Sequence, residues 1–153
     1  MSNLEDISLL LLVMAERIGE LVSDCQLEQS LIENPKEHIE NFDYSSKIEI
    51  SSSLKGELIL SVSTSALKTI LEKVFFFELD ENEDPDLILN SVCEFLNLIA
   101  ANSTDYMEGI EMPIEIGIPE AVKKENLTEF SGKLPAMKIL PGEGEISIMF
   151  NSF

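Results

Sequence analysis

The sequence predicts an α+β fold, with helices packed on a mostly antiparallel sheet in one domain over residues 1–153. Three observations predict it. Residues 4–25 and 86–108 carry apolar side chains at helical spacing. Residues 46–62 and 133–150 instead alternate, with Lys55-Gly56 and Pro141-Gly-Glu-Gly144 between their two halves, which is the pattern of strand pairs. The chain has 153 residues and 44% hydrophobic content, enough to bury a sizeable core.

The first helix is expected within residues 1–26. Ser2 or Asn3 can cap it, and Glu5 and Asp6 lie in its first turn. Leu4, Ile7, Leu11, Met14, Ile18, Leu21 and Cys25 follow helical spacing, while Leu9, Leu10, Leu12 and Val13 make the middle apolar nearly all round. Such a helix is covered on more than one side. A place between the sheet and another helix is the favoured reading, with a subunit contact as the other. Residues 27–42 are less regular, and Pro35 interrupts them. His38 is the only histidine; among Lys36, Glu37 and Glu40 it reads as a solvated surface residue.

Ile48 and Ile50 alternate with Lys47, Glu49 and Ser51, and Leu58, Leu60 and Val62 alternate with Glu57, Ile59 and Ser61. Ser63 or Thr64 then caps a helix to Val74, with Leu67, Ile70, Leu71 and Val74 facing the core. Phe75, Phe76 and Phe77 end it. They cannot all point one way, so at least one is expected to cover a neighbouring element. Residues 79–84 form an acidic loop without the glycine and closing glutamate of a calcium loop.

Pro85 opens the long helix over residues 86–108, where a missing N–H does no harm. Ile88, Val92, Phe95, Leu96, Ile99 and Tyr106 gather on one side as its core face. Asn90, Glu94, Asn97, Ala101 and Asp105 fall on the other, so a carboxylate and a carboxamide three positions apart project together. Gly109 supplies the stop. Residues 112–118 alternate through Ile114, Ile116 and Ile118 and read as a strand ending at Pro119. Residues 121–128 are a charged connection that could include a short helix. The last hairpin offers Met137, Ile139, Ile146, Ile148 and Phe150 to the core.

Ten basic residues against 29 acidic ones leave a formal charge of −19. Such a chain repels phosphate backbones and anionic lipid, so neither nucleic acid nor a membrane surface is the expected partner. The acidity would keep the protein soluble, or would suit a partner with a basic rim. Cys25 and Cys93 form no CxxC or zinc pattern and read as buried free thiols. The acidic opening and the short apolar run at residues 9–15 give no signal peptide and no membrane span, so a reducing cytoplasm is the expected compartment. No GxGxxG, P-loop or GxSxG occurs. Carboxylates without histidine or thiolate clusters make a poor transition-metal site, so no intrinsic metal is expected.

Two segments resemble the CheX branch of the CheC/CheX/FliY chemotaxis phosphatases. One is residues 54–68, a strand carrying a glycine and then a capped helix. The other is Asn90-Ser-Val-Cys-Glu94-Phe-Leu-Asn97-Leu-Ile-Ala-Ala101, followed by the strand that ends near Pro119. The resemblance covers residues 44–151. The family pattern is an acid or serine, Glu four positions on, Asn three further, and a later proline. It departs here at Asn90, which stands in place of Asp or Ser, and at Leu96, which stands where Gly is usual. CheC-type members repeat the motif on the first helix. Here Glu16 is followed by Gly19, which leaves a single site per chain.

The resemblance implies a CheC-like fold and a phosphatase for a phospho-aspartyl CheY-like response regulator. Glu94 and Asn97 would be catalytic, Asn97 by holding the attacking water and Glu94 by accepting from the regulator's active-site lysine. Leu87, Asn90, Leu98 and Ala101 would touch the partner. The regulator would bring Mg²⁺, and the chain would work as a homodimer. The alternative is a non-catalytic module of the same kind, docking a receiver domain or a flagellar-switch component.

Overall fold

The computed structural model describes residues 3–80, 82–123, 126, 129–130 and 132–153. Their elements run α1 (Leu4–Val22), β1 (Gln26–Ile32), α2 (Pro35–Glu40), β2 (Tyr44–Ser52), β3 (Gly56–Val62), α3 (Thr64–Val74), α4 (Pro85–Gly109), β4 (Ile114–Ile116), β5 (Glu120–Ala121), β6 (Leu134–Leu140) and β7 (Ile146–Ser152). The strands form one seven-stranded sheet in the order β1-β6-β7-β3-β2-β4, with β5 also paired to β2. Every pairing is antiparallel.

The main core lies between one sheet face and the helices α1, α3 and α4. The β2–β3 pair sets Ile48 opposite Leu58, and β3–β7 sets Leu60 opposite Ile148, so one set of alternating side chains enters this core. Helix α1 lies between β6 and β7 on one side and α3 and α4 on the other. That is why its middle is apolar nearly all round: Leu10, Leu11, Val13, Met14 and Ile18 are all buried.

Helix capping follows the side chains present. Asn3 Oδ1 accepts from Glu5 N at 2.8 Å and starts α1; the alternative cap, Ser2, lies outside the described residues. Ser63 Oγ accepts from Ala66 N at 3.3 Å and starts α3. Each cap satisfies a donor that the first helical turn leaves unpaired.

Several expectations are corrected. Helix α1 stops at Val22, because Ser23 and Asp24 take φ values of 68° and 53°, which no helix continues. Cys25 therefore precedes β1 and is not helical. Residues 27–42 are not irregular: they hold β1 and α2. Strand β1 is polar along most of its length and is an edge strand, so its partner β6 sets it and intrinsic propensity does not. The sheet's second face is covered too. Ile39 of α2 packs there with Ile59, Leu134, Ala136 and Met149, so β3 is buried at every position. The left-handed residue after α4 is Glu111, at φ 62°, and not Gly109. Met112 N donates to Met107 O at 2.9 Å across that turn. The charged connection at residues 121–128 opens with Ala121 in β5, and much of the rest lies outside the described residues.

His38 is likewise not a solvated residue. It is half-buried on α2, its Nε2 lies 2.8 Å from Ser147 Oγ, and its ring meets Phe42 at 5.0 Å. Burial holds its pKa below the ordinary 6.5, against an upward pull from Glu145 and with a smaller push down from Lys138. The folded state thus binds this proton less well than the unfolded chain. The stabilising contribution is complete above about 6.5 and is lost as pH falls from there through the lowered folded value. Melting curves between about pH 7.5 and 5 should show a steeper acid-side fall for the wild type than for His38→Gln.

Candidate functional site

Helix α4 carries the site. Asp84 Oδ1 accepts from Asp86 N at 3.0 Å, and Pro85 occupies the first turn, so the start of the helix is fixed. Ile88, Val92, Phe95, Leu96, Ile99, Ala100, Ser103 and Met107 are buried against α1 and β2. Ser103 satisfies its hydroxyl by donating to Ile99 O at 2.8 Å. Leu96 is inside, as its helical position requires, and cannot disturb the exposed face. Tyr106 departs from the expected core face. The buried arc runs through Ser103 and Met107, so Tyr106 falls on its border, 45% exposed, with Arg17 over its ring at 5.8 Å.

On the outward side, Asn90, Glu94, Asn97, Leu98 and Ala101 line an open cleft of about 770 Å³. Its other walls are Phe75, just past α3, and Gly117, Ile118 and Pro119, just past β4. Asn90, Glu94, Asn97 and Ala101 are exposed and Leu98 is partly so. No hydrogen bond or ion pair among the described residues engages the side chains of Asn90, Glu94 or Asn97. A carboxylate acceptor and a carboxamide offering both donor and acceptor thus stand ready, separated by ~4.5 Å of helical rise. Leu87 is the exception among the expected partner residues. It is 49% exposed but lies beside Phe77, Ile88 and Ser91 in a neighbouring hollow.

The far wall is held by backbone and by one partly buried network around Lys47. Strand β4 ends after three residues; Gly117 N then donates to Glu49 O at 2.9 Å, and the chain leaves the ladder. Alternation ends with it, so Ile118 is 90% exposed and not a strand residue facing the core. Just beyond, Glu120 lies 3.5 Å from Lys47 Nζ, which also reaches Glu57 at 3.9 Å and donates to Asn126 O at 3.0 Å. Lys47 thereby ties the segment after the wall to β2 and β3.

Cys93 lines the cleft as well. Both cysteines are free and half-buried. Burial raises the Cys93 thiol pKa, and Glu120 and Glu94 raise it further, so it stays protonated and is a poor nucleophile. Among the described residues no group of three or more His, Cys, Asp and Glu side chains could hold a metal ion. None of the helices described is long and apolar enough to cross a membrane. On α1, Glu16 is exposed and a side chain at Gly19 would meet nothing within 4 Å, so the missing second amide is not a packing demand.

Reading the sequence alone placed Asn90, Glu94, Asn97, Ala101 and Asp105 on one face with Leu98 at its border; all but Asp105 line the cleft. It missed Phe75, Cys93, Gly117 and Ile118 as walls. Pro119 had a signal, the later proline of the family pattern, but no position relative to the helix.

Comparison with known proteins agrees in fold. A chain of the CheX–CheY–BeF3–Mg²⁺ complex from Borrelia burgdorferi is 15% identical, with a TM-score of 0.72 over 95% of this chain and 97% of that one. A CheC-like superfamily protein from Shewanella sp. PV-4 is 16% identical, with a TM-score of 0.71 over 98% and 99%. The FliM middle domain from Helicobacter pylori is 12% identical, with a TM-score of 0.57 over 94% and 86%. No curated protein sequence matches. The family described as chemotaxis phosphatase CheX matches residues 44–139, a span that runs from β2 through α4 into β6 and takes in the whole cleft. The chain belongs to the CheX family of chemotaxis phosphatases.

Proposed function

We propose that the cleft on α4 hydrolyses the aspartyl phosphate of a CheY-like response regulator. The observation that carries this is the pair Glu94 and Asn97, exposed on one face of a rigid helix and free of hydrogen bonds and ion pairs among the described residues. The partner class follows from the family and from the similarity to a chain of a CheX–CheY complex. The regulator brings the phosphoryl group and its Mg²⁺, and this chain brings position.

Asn97 accepts a hydrogen bond from a water and donates one, holding the water in line with the phosphorus–oxygen bond. The water oxygen bonds to phosphorus, the bond to the aspartyl oxygen breaks, and its electrons return to that carboxylate. Inorganic phosphate leaves with the water's oxygen, and the water's proton passes to phosphate or solvent. Since the transition state is loose, positioning and electrostatics carry most of the catalysis. Glu94 accepts from the regulator's active-site lysine and fixes the docked geometry. Asn90, Leu98 and Ala101 border the contact, and Leu87 reaches it only if the partner extends past Phe77. Asn90 places a carboxamide at this edge where the family pattern has an acid or serine.

Glu94→Gln should raise the KM for the phosphorylated regulator about tenfold, as loss of one charge-assisted bond implies, with a smaller change in kcat. Steady-state phosphate release at varied regulator concentration measures both. An unchanged KM would remove Glu94 from this role.

We also propose that the chain acts as a homodimer. Strand β1 is an edge strand whose Leu27 and Leu31 remain exposed, which supports pairing through that edge. A second reading, a binding module without turnover, is favoured by the likeness to the FliM middle domain. It predicts regulator binding with an unaltered phosphate lifetime.

A further inference from the structure

Apolar residues of two segments, Phe75 and Ile118, line the cleft together with the Glu94/Asn97 pair. Past α3, Phe75 lines the cleft and Phe77 lies in the next hollow beside Leu87. Between them in the chain, Phe76 is 91% exposed at φ 54°. A bulky residue is an outlier in that left-handed region, where glycine or asparagine is usual after a helix. The chain nevertheless holds a phenylalanine there with almost all of its side chain in water. Ile118, which lines the cleft, is equally bare.

The charge along these segments is predominantly acidic, with Lys73 and Lys123 just beyond the two ends of the stretch that holds them and Lys47 paired to Glu120. From Val74 to Val122 there are twelve Asp and Glu residues and no Lys, Arg or His; all ten basic residues of the chain lie outside this stretch. Exposed Glu78 and Asp80 follow the first segment; Glu120, which follows the second, is exposed but paired with Lys47. Such a field repels a phosphoryl dianion, so the neutralising cations must arrive with the partner. An apolar centre within a charged rim is the anatomy of a protein interface.

We propose that Phe76 and Ile118 are the apolar anchors on which a receiver domain seats, presenting an apolar patch ringed by lysine and arginine. This rests on the phosphatase reading and deepens it: the polar pair acts on the phosphoryl group, while the anchors and their acidic rim choose the partner. It also gives the net charge of −19 a use, as a field that steers a basic face toward the cleft.

The test is binding of CheY-type regulators from the same genome, each loaded with beryllofluoride and Mg²⁺, measured by calorimetry at low and high salt. Phe76→Ser and Ile118→Ser should each weaken binding about tenfold, and wild-type affinity should fall as salt rises. Phe76→Gly should weaken binding equally while melting no lower than the wild type, because glycine suits that backbone. Phe153→Ser removes an exposed apolar residue at the C-terminus and should bind as wild type does.

Wild-type affinity in Phe76→Ser and Ile118→Ser, or affinity that does not fall with salt, overturns the proposal. Phosphate lifetime, measured separately, keeps the two claims apart. Weakened variants with no shortening of the lifetime by wild type leave docking standing and remove the phosphatase. A shortened lifetime with undiminished variants does the reverse. No binding by the wild type to any regulator overturns both.

Discussion

Asn97→Ala should cost about 10²- to 10³-fold in kcat for regulator dephosphorylation, the range seen when one preorganised polar group is removed from a transition state. Regulator affinity should change little, because the role proposed for the carboxamide is to hold a water and not to anchor the partner. The loss should not respond to pH near neutrality, since an amide does not titrate there. Fold should be untouched: Asn97 is exposed, and no hydrogen bond or ion pair among the described residues engages its side chain. Asn97→Asp is the sharper companion. It keeps the shape but loses the donor and adds a charge beside Glu94, so it should be at least as damaging. Equal kcat in wild type and Asn97→Ala would remove Asn97 from the chemistry.

The second large effect is on stability. Phe95→Ala should destabilise the fold by about 3–5 kcal/mol, the usual cost of deleting a fully buried aromatic ring. Phe95 is 1% exposed and is among the largest fully buried side chains. It follows Glu94 directly, so a cavity there also loosens the seat of α4. Urea unfolding should show a lower midpoint with an unchanged slope. A shift below about 1 kcal/mol would mean that the site collapses around the gap and that α4 is not anchored as described.

The two effects separate what the sequence made legible from what it hid. The outward face of α4 was readable because helical period alone decides which side chains share a face. Ile88, Val92, Phe95 and Leu96 went inward, so Asn90, Glu94 and Asn97 had to go outward. The β2–β3 and β6–β7 pairs were readable for the same reason, at period two. Tyr106 shows the limit of that reasoning, since a border position depends on which neighbour covers it. The cleft's other walls were not readable, because they come from distant segments. Phe75 reaches it from the end of α3, and Gly117 to Pro119 reach it only because β4 pairs with β2 and then stops.

Strand β1 was hidden because it is polar and becomes a strand only when β6 offers a ladder. With β1 and α2 unseen, nothing in the sequence covered the sheet's second face, and Ile59, Glu57 and Ser61 could not be placed as buried. The same omission turned His38 into a surface residue.

The central claim is that this one cleft shortens the life of a phosphorylated aspartate. The direct measurement is the decay of phosphoryl label on a CheY-type regulator with Mg²⁺ present, with and without a substoichiometric amount of this protein. The lifetime should fall at least tenfold, with many turnovers per chain and no such fall for Asn97→Ala. Decay at the regulator's own rate, despite measurable binding, would contradict the account and leave a docking module in its place.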